Sequence, residues 1–208
     1  ASAVRNRAVD ACAEAIEADG AAAARAASVI GDRVFTLSRS GTVLEALESS
    51  PPDDVFVAES RPGREGIDTA EALSEATESD VTVLADAAVG GVVASEVDTV
   101  LVGADSVFGN GSVVNKVGTY NAANAAAEAS IDCFAVCSRD KIVPGDELHS
   151  EPRPPSELYG GDADVSVRNP TFERVPASLF SGIVTEDGAL SEGEVGDAAA
   201  EHAAMAAW

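Results

Sequence analysis

The sequence predicts an α/β fold, a parallel sheet flanked by helices and preceded by a short helical segment, and three observations point there. Short aliphatic runs recur at RVFTL (33–37), VFVAE (55–59), VTVLAD (81–86), VLV (100–102) and CFAVC (133–137). Each has the length and the apolar, mostly β-branched content of a buried strand. Between them lie stretches with helical spacing, and such alternation builds parallel sheets through right-handed crossovers. The strand ends also lead into loops carrying hydroxyls, carboxylates and cations, at the edge where open α/β sheets hold their ligands.

Taken in order, residues 1–30 place Val4, Ala8, Cys12, Ala15 and Ile16 at helical spacing, as a helix broken near Gly20 and continued by AAAARAASVI. Alanine favours helix but buries little area, so this segment should pack on the main body or on a partner subunit. The first strand runs into Ser38-Arg39-Ser40-Gly41-Thr42, and a helical pattern follows through Val43, Leu44 and Leu47. Ser40 or Thr42 can cap that helix, whose free N–H groups make an anion site; the plainer reading is an ordinary helix start. A turn at Pro51-Pro52-Asp53-Asp54 leads to the second strand, which discharges into a polar loop containing Arg61 and Arg64. Arg61 is either a cation at the ligand edge or a surface partner of Glu59 or Glu65. Asp68 and Thr69 begin a helix through Leu73, and AAVGGVVASEV supplies the crossover after the third strand.

The stretch 98–120 organises the rest. Its strand ends in Gly103-Ala104-Asp105, and Gly109, Gly111 and Gly118 then punctuate a loop carrying Asn110, Asn115 and Lys116 before a helix from Thr119. Glycines let backbone approach a ligand closely, and lysine supplies a mobile point charge suited to phosphate. Asp105 reads as a ligand carboxylate or as a loop cap. The proline- and acid-rich segment 144–164 should hold no regular element. A short strand is expected at 165–169, anchors at Phe172 and Phe180, a last strand at 182–185, and an alanine-rich helix at 192–208 whose Trp208 packs on a partner or on the sheet.

Composition bounds the function. Among 208 residues, 36 are acidic and 13 basic, a formal net charge of -23 that repels nucleic acid backbones. Only Lys116 and Lys141 are lysines, and the acids are scattered, a composition resembling proteins of salt-accumulating halophilic archaea. No stretch is long and apolar enough to span a bilayer, and the N-terminus lacks the apolar core of a secretory signal, so a cytoplasmic location without membrane partners is expected. Cys12, Cys133 and Cys137 form no CxxC pair and read as buried thiols. No metal or cofactor is expected. Neither GxxxxGK[ST] nor GxGxxG before a helix occurs, which argues against nucleoside-triphosphate hydrolysis and nicotinamide chemistry.

If the strand order reverses between the first strand and the one ending at Gly103, the loops after Leu37 and Val102 flank one crevice. Ser38 then faces Asp105, with Arg61 beside them and Lys116 within reach. Cations for a phosphate and a carboxylate for hydroxyls or a proton suit a phosphorylated small molecule.

The stretches VFVAESRPGREG (55–66), VTVLADAAVG (81–90), VLVGADSVFGNGSVVNKVGTY (100–120), RNPTFERVP (168–176) and GIVTEDG (182–188) resemble, in order and spacing, the translation initiation factor 2B alpha/beta/delta family. That family includes ribose-1,5-bisphosphate isomerase and methylthioribose-1-phosphate isomerase. The resemblance implies a Rossmann-like ligand-binding and dimerisation domain over 31–208, a truncated remnant of an N-terminal helical domain over 1–30, and a homodimer or assembly with related family subunits. It implies a catalytic role for Asp105 and a place near the substrate phosphate for Asn115 and Lys116. Ser38 stands where the isomerases carry a cysteine, a degenerate catalytic position, and a serine hydroxyl lacks an accessible ionised form. The helical domain's phosphate-binding arginine motif has no match in residues 1–30. Both departures favour a subunit that binds a phosphorylated sugar or nucleoside monophosphate. The alternative is a sugar-phosphate aldose–ketose isomerase of the ribose-1,5-bisphosphate type. The candidate site comprises Asp105 and Ser38, with Arg39, Ser40, Gly41, Thr42, Arg61, Gly103, Asn115 and Lys116 as ligand and phosphate contacts.

The charge predicts a salt response. At molar salt the Debye length falls to roughly 3 Å and self-repulsion is screened. The urea midpoint should drop as KCl is lowered from about 2 M to about 0.1 M; an unchanged midpoint would show that the acidic surface is energetically neutral.

Overall fold

In the computed structural model, which describes residues 2–148 and 152–206, a seven-stranded sheet runs in the order β11-β10-β7-β4-β1-β2-β3. Its strands are β1 (Arg33–Leu37), β2 (Asp54–Ala58), β3 (Asp80–Leu84), β4 (Thr99–Gly103), β7 (Asp132–Val136), β10 (Gly182–Thr185) and β11 (Gly188–Leu190). All neighbours pair in parallel except the closing hairpin of β10 and β11. The chain winds outward from β1 through β2 to β3, then returns to place β4 on the other side of β1. The order therefore reverses at the β1/β4 boundary.

Side chains alternate along each strand, and the alternation sorts the core into two layers. Val34, Val55, Val57 and Leu101 point to one face, where they meet Ala22, Ala23 and Ala26 of α1 (Ser2–Ala26), Val43 and Leu47 of α2 (Gly41–Ser49), and Leu73 of α3 (Glu65–Ala76). Phe35, Phe56, Val100 and Val102 point to the other, against Val89 and Val93 of α4 (Val89–Glu96) and Ala122 and Ala126 of α5 (Thr119–Ala129). Central β4 is buried along its whole length, whereas edge strand β3 is exposed or half-buried throughout.

A second sheet, in the order β8-β5-β6-β9, stands beyond the carboxyl end of β4. It contains β5 (Ser106–Phe108), β6 (Val113–Lys116), β8 (Ile142–Val143) and β9 (Phe172–Val175), and α6 (Glu192–Ala206) packs against β8. The segment carrying Asn115 and Lys116 is thus not the loop the glycines suggested. It is the second strand of an antiparallel hairpin with β5, and this holds Asn115 and Lys116 on regular backbone.

Two further expectations are corrected. The first helix is not broken at Gly20; α1 passes straight through it. A Cβ at Gly20 would lie 3.3 Å from Glu45 Oε1, so glycine here admits the side chain of α2 against α1. Residues 165–169 form no strand, because that backbone serves a loop: Asn169 O accepts from Arg153 N and Asn169 Nδ2 donates to Pro154 O. Trp208 and the side chain of Cys12 lie outside the described residues. No helix among the described residues is long and apolar enough to cross a membrane.

Candidate functional site

The cleft begins as a defect in pairing. β1 is in register with β2 as far as Leu37↔Ala58, and β4 with β7 as far as Gly103↔Val136. Between β1 and β4, however, only Val34↔Thr99 and Phe35↔Val100 pair. The last residues of these two strands diverge, and a cleft of about 500 Å³ opens between their carboxyl ends. Ser38, Arg39, Ser40, Gly41 and Thr42 line it from the β1 side, Gly103 and Asp105 from the β4 side, and Asn115 and Lys116 from β6. A Cβ at Gly103 would stand 2.6 Å from Ser40 Oγ, so only glycine lets the start of α2 approach β4 this closely.

Ser40 is the N-cap of α2, and its Oγ accepts from Val43 N at 3.3 Å. The first-turn amides of Gly41 and Thr42 have no helical partner, as at any helix start, and these residues line the cleft. The start of α5 is different. Glu173 Oε1, reaching over from β9, accepts from Gly118 N at 2.7 Å and Tyr120 N at 2.9 Å. An internal carboxylate already fills that anion position, and the start of α3 carries its own Glu65 and Asp68, whereas the first turn of α2 holds no acidic residue.

Ser38 is held in the left-handed region at φ 59°. A non-glycine residue persists there only where its surroundings over-determine it. Here its N–H donates to Ser60 Oγ at 2.7 Å, and its carbonyl accepts from Thr69 Oγ1 at 2.7 Å. Ser60, itself at φ 62°, is clamped by Asp86, whose two carboxylate oxygens accept from Ser60 N at 2.8 Å and Arg61 N at 2.6 Å. The ends of β1, β2 and β3 are thus laced together, and the lacing fixes Ser38. Asp105 is placed from the other side by its N–H, which donates to Val114 O of the hairpin at 2.9 Å.

Lys116 is 4% exposed, and its Nζ donates to Glu65 Oε1 at 2.9 Å. Arg153 Nη1 reaches the same oxygen at 3.4 Å, while Glu65 Oε2 is buried with no partner. Burial pushes the Glu65 carboxyl up, but the Lys116 hydrogen bond, a backbone hydrogen bond and the Lys116 and Arg153 charges together outweigh it, so the group lies below its ordinary value. Asn115 spends one amide proton on Thr119 Oγ1 at 2.9 Å. Lys141, the chain's other lysine, also lines the cleft and donates to Ala104 O at 2.9 Å, beside Asp105. Sequence reasoning singled out neither Glu65 nor Lys141 for the site. The available signal for Lys141 was the scarcity of lysine beside eleven arginines.

Arg61 stands apart from this group. It lies 3.5 Å from Glu59 and borders a separate pocket of about 160 Å³ with Phe35, Asp86 and Val89. Arg39, with its side chain 59% exposed, pairs with Asp68 at 3.7 Å. Cys133 and Cys137 are buried thiols, pushed up to about 12 chiefly by that burial, and take no part in the cleft.

Residues 1–192 match the Initiation factor 2 subunit family. The chain belongs to that family. Among curated relatives it is 32% identical over 174 residues to the ribose 1,5-bisphosphate isomerase of Methanocaldococcus jannaschii, covering 77% of this chain and 55% of the relative. It is 34% identical over 167 residues to the methylthioribose-1-phosphate isomerase of Zea mays, covering 72% and 45%. Among solved structures, the Pyrococcus horikoshii OT3 translation initiation factor eIF-2B superposes with a TM-score of 0.78 at 29% identity, over 89% of this chain and 68% of that one. The 5-methylthioribose 1-phosphate isomerase of Pyrococcus horikoshii OT3 gives 0.77 at 25%, over 92% and 60%. The chain spans about half the length of the curated relatives it matches.

The Lys116–Glu65 pair predicts a pH response. A lowered carboxyl value means its contribution is present above the unfolded value near 4.5 and is lost as pH falls through the folded value. Glu65→Gln should cost about 1–3 kcal/mol near neutrality. In urea titrations the gap from wild type should narrow as pH is lowered below 4.5; a gap constant with pH would mean that the charge on Glu65 contributes nothing.

Proposed function

We propose that the chain binds a sugar phosphate in the β1/β4 cleft and acts as the ligand-binding and acid/base portion of an aldose–ketose isomerase. The observation that carries this reading is the joining, in one cleft, of an open helix start to a carboxylate with lysines on either side. The Gly41 and Thr42 amides and Lys116 suit the phosphate, since backbone N–H groups at a helix start and a buried ammonium both favour an anion. Asp105 faces the sugar. The isomerase names of the similar curated proteins support the same substrate class.

Isomerising a sugar phosphorylated at C1 moves one hydrogen and two protons with no change in formula. The bond from C1 to the ring oxygen breaks and that oxygen takes a proton. The hydrogen on C2 shifts to C1 with its electron pair, and the C2 hydroxyl gives up its proton to become a carbonyl. One proton is needed and one is released, so a single carboxyl can supply the first and recover the second. Asp105 is assigned that role. Ser38, with its backbone locked by Ser60 and Thr69, is assigned as a hydrogen-bond donor to a developing oxygen charge.

A second reading has a specific observation in its favour. The position at the end of β1 carries a hydroxyl that holds its proton tightly, and a binding subunit related to initiation factor 2B needs no better group there. Turnover separates the two. In about 2 M KCl, chosen to screen the acidic surface, NMR should detect ketose formed from ribose 1,5-bisphosphate or methylthioribose 1-phosphate. Asp105→Asn should cut that rate by about 10² or more while binding stays within about threefold. Lys116→Ala should weaken binding by about 10- to 100-fold, the worth of a charge-assisted hydrogen bond. Tight binding without turnover of either sugar would favour the binding subunit.

A further inference from the structure

Helix α1 is the element for which the isomerase reading provides no task. It packs against α2 and the β10/β11 hairpin, and its last turns are pinned by the buried Ala22, Ala23 and Ala26. Just before these anchors, Asp19 lines the same cleft as Ser38 and Asp105. Its Oδ1 is buried and has no hydrogen-bond partner. Glu65, on another wall of the cleft, is held through one oxygen by Lys116 and Arg153, whereas no donor among the described residues meets Asp19 Oδ1. A carboxylate oxygen withdrawn from water without a donor is destabilising, and aspartate is a weak helix former. Neither helix stability nor packing accounts for aspartate at this position.

We propose that Asp19 accepts a hydrogen bond from a hydroxyl of the bound sugar phosphate, which makes α1 a ligand-contacting wall of the cleft. The proposal deepens the phosphosugar reading and rests on it. Rotation about Cβ–Cγ exchanges the two oxygens, so a carboxylate that is not anchored through Oδ1 can turn that oxygen to a ligand. A carboxylate also repels phosphate at short range. Asp19 therefore distinguishes the hydroxyl-bearing part of the ligand from its phosphate and fixes which way round the sugar sits.

Calorimetric titration of the 208-residue chain in about 2 M KCl, with ribose 1-phosphate and inorganic phosphate as separate probes, tests this. Asp19→Ala should lose about tenfold or more in affinity for ribose 1-phosphate, equivalent to about 1.4 kcal/mol. Its affinity for inorganic phosphate should stay within about twofold or improve, because only a repulsive charge has gone. Asp19→Asn keeps an acceptor of lower charge and should fall between, so it carries the test if the alanine variant folds poorly. Both variants should melt at or above the wild-type temperature, since a buried acceptor without a donor has been removed or weakened. Unchanged ribose 1-phosphate affinity, or equal losses for both probes, would overturn the role of Asp19 and leave the phosphosugar reading standing. A wild-type protein that takes up neither probe would overturn both.

Discussion

The parting of β1 from β4 is the constraint on which the rest of the cleft depends. A parallel sheet has no reason to open at its centre while its ladder is complete, and here the ladder stops after Phe35↔Val100. Two features hold the gap open. Ser38 is turned into a left-handed conformation by Ser60 and Thr69, which ends β1 and starts the approach to α2. Gly103 leaves room for Ser40 where any side chain would push α2 away. The motif residues Ser60 and Asp86 are thus understood as scaffold: they secure a backbone bend, and the bend puts Ser38 in the wall of the cleft that Asp105 also lines.

Charge placement then decides where an anion can sit. The helix starts differ in what already occupies them: that of α5 is closed by Glu173, and that of α3, at the cleft wall, carries Glu65 and Asp68 in its first turn. The start of α2, at Ser40 to Thr42, has no acidic residue in its first turn. Lys116 is buried, and a buried ammonium requires a counter-charge, which Glu65 provides through a single oxygen. On the proposed reading, an incoming phosphate meets a preformed cation that is partly neutralised. This tempers affinity and lets Glu65 keep Lys116 in place when the cleft is empty.

Much of this was legible in the sequence, for physical reasons that can be named. Continuous aliphatic, β-branched runs mark where strands end, and strand ends carry Ser38 and Asp105, so their place in one cleft followed from one assumption about strand order. The Ser40 cap and the glycine at 103 were local signals as well. The rest depended on contacts between residues distant in sequence. Arg61 sits near the right edge, but the Asp86 clamp on its own N–H turns the loop toward a different pocket. Val113 to Lys116 is a short strand framed by glycines and so reads as loop until β9 supplies its partner. The pairing of Glu65 depends on Lys116 fifty-one positions away, and the unpaired state of Asp19 Oδ1 on there being no donor for it among the described residues. No spacing rule reports either.

The open start of α2 is the proposed phosphate site of the cleft. Amide NMR of the ¹⁵N-labelled chain, titrated with ribose 1-phosphate in molar KCl, measures this residue by residue. Saturable shifts of the Gly41 and Thr42 amides are expected, with Gly118 and Tyr120 at the closed start of α5 unmoved. Shifts confined to Gly118 and Tyr120, or saturation that leaves Gly41 and Thr42 unchanged, would contradict that assignment.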